Sequence, residues 1–135
     1  MNLLLDTNII IGILEGDSRL IPPAAREILS NATLHYSVAV IWEVSIKHST
    51  GKLAISPMQM FDMVKRVGMI EKPIATSHTL IVSTLNPIHR DPFDRIQIAQ
   101  AIGERLTLVT ADNLLPRYDS TGNVVRHISS VASKS

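Results

Sequence analysis

The chain contains no cysteine. That excludes disulfides, thiolate nucleophiles and cysteine-based zinc sites, and it suits a reducing compartment such as the cytoplasm. No stretch reaches the roughly 18 continuous apolar residues that a membrane-spanning helix needs. The apolar N-terminus lacks a basic leader and is interrupted by Asp6, so it does not read as a signal peptide. Excess charge of one sign is missing too. The 13 Lys and Arg against 12 Asp and Glu leave a net charge of +1, so any nucleic-acid binding must come from local basic patches. There is no glycine-rich phosphate loop and no Gly-x-Ser-x-Gly elbow. The histidines (His35, His48, His78, His89, His127) are scattered, and none forms a helical zinc pair. No internal repeat or low-complexity segment appears. What remains is 135 residues, 45% of them hydrophobic, which predicts one compact domain over residues 1–135 with a real core. The serine-rich tail beyond about Ser129 is expected to fray.

The stretch that stands out is Leu3-Leu4-Leu5-Asp6-Thr7-Asn8. A short apolar run followed by an amphipathic run from Ile9 to Leu14 reads as a buried strand feeding a helix. In a parallel sheet the chemistry sits at the carboxyl ends of the strands, where Asp6 falls. A charge there must be paired, exposed in a crevice, or used on a metal.

The chain alternates between the two element types. A helix from Pro22-Pro23 to about Leu29 is followed by a strand from Leu34 to Val38 and a helix from Ala39 to Ser49, stopped near Gly51. Ser56-Pro57 opens a helix carrying Met60, Phe61, Val64 and Val67. A weaker strand spans Met69 to Ile74. Thr76 or Ser77 then caps a helix with Leu80, Ile81 and Leu85, which Asn86-Pro87 breaks. Asp91-Pro92 starts a helix with Phe93, Ile96, Ala99 and Ile102 on one face, widened by Ile98 and Ala101. Leu106 to Thr110 is a strand ending at Asp112. Ser120-Thr121-Gly122-Asn123 is a turn, and Val124 to Ile128 a fifth strand. Strands alternating with helices predict a parallel α/β sandwich.

Four acids can share the strand tips. Asp6 ends the first strand and Asp112 the fourth; each can cap the element after it or face the other across a crevice. Glu43 lies between Trp42 and Val44 on a helix whose Glu43 face holds Ala39, Val40 and Ile46. It can pair with Lys47 one turn on, or point inward. The lone Trp42 reads as core rather than as a ligand platform. Asp91, before Pro92, is the natural N-cap, and Asp94 suits the helix dipole at the third position yet borders the buried face. Together these acids suit hard cations such as magnesium, because clustered carboxylates repel without one. Carboxylate-held ions can activate water for phosphoryl displacement. Lys47, Lys52, Arg90 and Arg95 lie near the acids in sequence and either bind a phosphate backbone or solvate the rim.

Leu5-Asp6-Thr7-Asn8, Ile41-Trp42-Glu43-Val44-Ser45-Ile46-Lys47 with Gly51-Lys52-Leu53, His89 to Ile96 with Ile98-Ala99-Gln100-Ala101, and Leu108-Val109-Thr110-Ala111-Asp112 resemble the four acidic segments of PIN-domain ribonucleases. They do so in the right order over essentially the whole chain, and most resemble the VapC-like toxins of type II toxin–antitoxin pairs. The resemblance implies an α/β three-layer sandwich with a central parallel sheet of order 3-2-1-4-5, which sets strands one and four side by side. It implies a cytoplasmic Mg2+- or Mn2+-dependent endoribonuclease with Asp6, Glu43, Asp94 and Asp112 as its acids. Asn8 and Thr110 match polar positions beside them, and Asp91 is an extra acid without an assigned role. It further implies an RNA substrate, a cognate antitoxin protein and a homodimer, with no membrane attachment. Three rivals stand beside this reading: a phosphatase using Asp6 as nucleophile, which wants a second aspartate where this chain has Asn8; a non-catalytic module whose acids are only caps; and a DNA-directed nuclease on the same fold.

Overall fold

The computed structural model describes residues 1–88, 90–119 and 121–131. His89 of the third acidic segment, Ser120 of the expected turn and the last four tail residues, 132–135, lie outside the described residues.

Strand β1 (Asn2–Leu5) is the middle of the sheet. Its leucines are buried on both faces, as befits a parallel strand covered on two sides. Leu3 and Leu5 point into one core with Ile9, Ile10, Tyr36 and Val40. Leu4 points into the other with Leu108, Ile98 and Ala101. At roughly 1.5–3 kcal/mol for each fully buried aliphatic side chain, this tripeptide anchors both layers. Helix α1 (Thr7–Glu15) follows directly and ends at Gly16, whose φ of 66° is a left-handed cap that glycine adopts without a Cβ clash.

The remaining elements are α2 (Pro23–Ser30), β2 (Thr33–Ser37), α3 (Val38–Ser49), α4 (Pro57–Arg66), β3 (Ile70–Lys72), α5 (Thr76–Val82), α6 (Pro92–Glu104), β4 (Thr107–Thr110), a 3-10 turn (Leu115–Tyr118), β5 (Val125–His127) and α7 (Ile128–Val131). Ser56 and Gln59 form a reciprocal capping box at α4. The five strands are ordered 3-2-1-4-5 and every pair is parallel, with Leu4 opposite His35 on one side and Leu108 on the other. The three-layer α/β sandwich is therefore as the sequence implied, and β1 and β4 are neighbours.

Of the tail beyond about Ser129, Ser130 and Val131 belong to α7, and residues 132–135 lie outside the described residues. Other local expectations fail in part. Helix α5 is not capped by Thr76 or Ser77, which lie within it. Ala75 precedes it, and the Ala75 N–H donates to His78 Nδ1 at 2.9 Å, so a histidine one turn in does the capping. Leu85 falls beyond that helix. Of the apolar face expected on α6, Ile98, Ala99 and Ala101 are buried and Phe93 and Ile96 half-buried, but Ile102 is exposed, and Gln97 and Gln100 are buried beside them. The two glutamines can be buried because their amides find acceptors. Gln100 Nε2 reaches the carbonyls of Lys72 and Pro73, and Gln97 Nε2 reaches the Phe93 carbonyl and Asp6. Asp94 lies one turn before the buried Gln97 and Ile98 and lines the pocket described below.

Candidate active site

Chain direction builds the site. β1 and β4 run parallel side by side, so their carboxyl ends deliver Asp6 and the Thr110–Asp112 segment to the same edge of the sheet. α3 brings Glu43 and Lys47 from one flank, and the first turn of α6 brings Asp91 and Asp94 from another. A pocket of about 210 Å³ results, lined by all five of these acids together with Lys47, Thr7 and Asn8.

Asp6 is the most enclosed of the acids, 6% exposed. Its Oδ1 accepts the Thr7 N–H at 2.8 Å and Gln97 Nε2 at 3.4 Å, and its Oδ2 accepts the Thr110 hydroxyl at 2.9 Å. Burial raises its pKa; these donors pull the other way and the nearby Glu43 adds to the rise. The Thr110 hydroxyl does a second job. It accepts the Asp112 N–H at 3.0 Å, so one side chain latches the tips of β1 and β4 together. Asp112 Oδ1 in turn accepts the Leu114 N–H at 2.7 Å.

Glu43 faces inward and is buried. Its Oε1 accepts the Thr7 hydroxyl at 2.6 Å and its Oε2 the Lys47 ammonium at 2.7 Å. The two sequence readings of Glu43 thus coexist: the helix pair with Lys47 forms, and both partners line the pocket. That bond to Glu43 raises the Lys47 pKa. Ile46, expected on the Glu43 face, is exposed instead.

Asp91 is the N-cap of α6, accepting the N–H groups of Phe93 at 2.8 Å and Asp94 at 3.3 Å. Asp94 is strongly perturbed, as Asp6 is. Burial first, and then the charges of Asp6, Asp91, Glu43 and Asp112, push its pKa up to about 8. Because asparagine also caps, Asp91→Asn is expected to leave stability nearly unchanged, while Asp91→Ala should cost about 0.5–2 kcal/mol in chemical denaturation. A loss of that size in both variants would mean that the Asp91 charge, and not its cap, is what matters.

The basic residues separate. Lys47 lines the pocket; Lys52, just past α3, is exposed and does not line it. Arg90 lies in an adjoining groove. Arg95 is not a free rim cation as expected: its guanidinium donates to the carbonyls of Val82, Leu85 and Asn86 and to the Tyr118 hydroxyl, tying the end of α5 to α6. Trp42 is not core either. It is 57% exposed and packs edge-on against Phe93. Two residues went unread in the sequence, Thr7 and Gln97. Thr7 carried a signal, since its hydroxyl directly follows Asp6. Gln97 carried one only in hindsight, as a polar residue one turn after Asp94.

The PIN domain family profile matches residues 3–120. The chain belongs to the PIN domain family. A comparison with curated proteins gives no match. Among solved structures, this PIN domain is similar to VapBC2 from Rickettsia felis bound to a DNA fragment from their promoter. The TM-score is 0.70 and the identity 19%, over 94% of this chain and 98% of that one. It is also similar to VapBC-1 from nontypeable Haemophilus influenzae, with a TM-score of 0.65 and 20% identity over 96% of this chain and 99% of that one. At these identities the likeness is one of fold.

The acids of this pocket present hard carboxylate oxygens, the donor type that divalent cations such as magnesium, manganese and calcium take. Among the described residues, no group of three or more His, Asp or Glu side chains stands where it could hold a metal ion.

Proposed function

We propose that this PIN domain is a Mg2+- or Mn2+-dependent endoribonuclease and acts as the toxin of a toxin–antitoxin pair. The observation that carries this reading is the convergence of five acids from separate elements on one small pocket, where Asp94 is held near pKa 8 by burial and by its neighbours. A capping module has no need of that repulsion. Asp6, Asp94 and Asp112 would hold the ion, and Glu43 would hold it or orient the attacking water. When bound, such an ion makes a water more acidic and offsets charge building on the phosphate.

The chain's own groups set the geometry. Thr110 and the Thr7 N–H fix the plane of the Asp6 carboxylate. Thr7 and Lys47 clamp Glu43 from both oxygens, so it stays aimed into the pocket without a rotamer search. Lys47 Nζ, with 45% of its side chain exposed, can also meet a non-bridging phosphate oxygen. Asn8 borders the same pocket and can donate or accept toward a sugar or water. The antitoxin partner rests on the motif resemblance, supported by likeness in fold to VapBC structures; the homodimer rests on the motif resemblance alone. The described helices include none long and apolar enough to cross a membrane.

The test is cleavage of matched RNA and DNA oligonucleotides with manganese. Cutting of RNA alone supports the reading; cutting of DNA alone replaces it with the DNA-directed rival. Binding supplies a second check. In a cleavage-silent Asp94→Asn background, affinity for single-stranded RNA should fall steeply with salt as Lys47, Lys52 and Arg90 release counterions. Lys52→Ala should reduce the slope by about 0.7, the value for one phosphate contact on a single strand. A flat salt response would make these residues ordinary solvated charges.

A further inference from the structure

We propose that Trp42 is a stacking platform for an unpaired nucleobase flanking the bond that the acid pocket cleaves; this rests on the ribonuclease reading above. Trp42 is the only tryptophan of the chain and is 57% exposed, unusual for the largest apolar side chain available. It is not loose. Its ring meets Phe93 at a centroid distance of 5.0 Å and an interplanar angle of 85°, so it is braced from one side and open to solvent elsewhere. It forms one wall of a groove of about 390 Å³ completed by Ile74, Val82, Arg90, Pro92 and Ile96.

This groove and the acid pocket are built from neighbouring residues of the same segments. Trp42 immediately precedes Glu43 on α3, and Arg90 and Pro92 flank the capping Asp91, so the same two segments line both. The Val82 wall is fixed, because Arg95 holds the carbonyls of Val82 and Leu85. Among the described residues Arg90 forms no ion pair, which leaves a cation at the lip of an apolar slot. A flat π-face for the indole and a phosphate for the arginine are the two halves of one nucleotide. A strand whose scissile phosphate sits among the acids carries its next base into this slot. Aromatic stacking accepts any base, so the platform supplies affinity and register and not a base code.

The sole tryptophan reports on its own site. In full-length Asp94→Asn protein with magnesium, titration with a short single-stranded RNA should quench Trp42 fluorescence, with the same dissociation constant as the anisotropy of labelled RNA. An abasic ribose walked along the strand should remove the quench at one position only. Trp42→Leu should weaken binding by about 5- to 150-fold, the range for one stacked base, and Trp42→Phe should restore part of it; neither should change the salt slope. Because Trp42 is exposed, both variants should keep the fold, and a thermal melt checks it. RNA that binds with unchanged fluorescence and is indifferent to Trp42→Leu overturns the platform and leaves the ribonuclease reading intact. RNA that is neither bound by Asp94→Asn nor cut by wild type overturns both. Fluorescence that follows protein concentration without RNA, with a doubled sedimenting mass that Trp42→Leu abolishes, would make the groove an interface between copies and overturn the proposal.

Discussion

Asp94→Asn is expected to abolish metal-dependent RNA cleavage while leaving the metal-free protein as stable as wild type or more so. The two effects have one cause. Asp94 sits where burial and four neighbouring carboxylates disfavour its charge, and the cation proposed for this pocket would make that charge useful. Asparagine keeps the shape and removes the charge. Cleavage should fall by more than the roughly 10- to 100-fold that loss of an outer partner of a metal ligand costs, because Asp94 is assigned as a ligand itself. The pH dependence follows from the sign of the shift. The folded pKa of about 8 lies above the ordinary 3.8, so between these values the folded protein holds a proton that the unfolded chain releases. That contribution to stability is complete below about pH 4 and is lost as the pH rises through 8. Metal-free wild type should therefore lose stability toward alkaline pH, and Asp94→Asn should lose less. Asp6, raised in the same direction, keeps the variant from becoming wholly flat. Denaturant unfolding in chelator across this range, paired with cleavage in manganese, reads both effects. Cleavage that survives in Asp94→Asn but is lost in Asp91→Asn would transfer the ligand role to the capping acid.

Manganese or magnesium should raise the melting temperature, and more so at pH 8 than at pH 6. An ion that binds only the native pocket stabilises by mass action, about 2.7 kcal/mol at 100 times its dissociation constant. For a domain of this length that corresponds to a shift on the order of 10 °C. The pH effect arises because the ion displaces a proton at Asp94, and less displacement is needed once that proton has begun to leave. Scanning fluorimetry over a manganese series at the two pH values gives the answer. No shift at millimolar manganese, together with no heat on calorimetric titration, would contradict a metal site among these acids.

Much of this site was legible because its residues occupy positions with a local grammar. Asp6 follows a buried strand, Asp112 follows another, and Asp91 precedes a proline at a helix start. Those signals need no tertiary knowledge, and alternation of strands and helices supplied the layers. The misreadings came where packing overrides periodicity. Counting apolar residues set the face of α6 on Phe93, Ile96, Ala99 and Ile102, widened by Ile98 and Ala101, and it missed Gln97 and Gln100, since nothing local reveals that they will find carbonyl and carboxylate acceptors and so be buried. Arg95 resembled a rim cation because the carbonyls it binds come from another helix end, 9 to 13 residues earlier. Trp42 resembled core because its size argued for burial, while its neighbour Glu43 takes the inward direction. Helix α7, only 4 residues long, is too short to leave any period in the sequence.

The most direct test of the account is a single time course of RNA cleavage by wild type and Asp6→Asn, first in chelator and then after excess manganese. The account predicts intact RNA from both proteins in chelator, and after the metal is added, cleavage by wild type alone. Cleavage in chelator, or equal cleavage by Asp6→Asn after manganese, would contradict it.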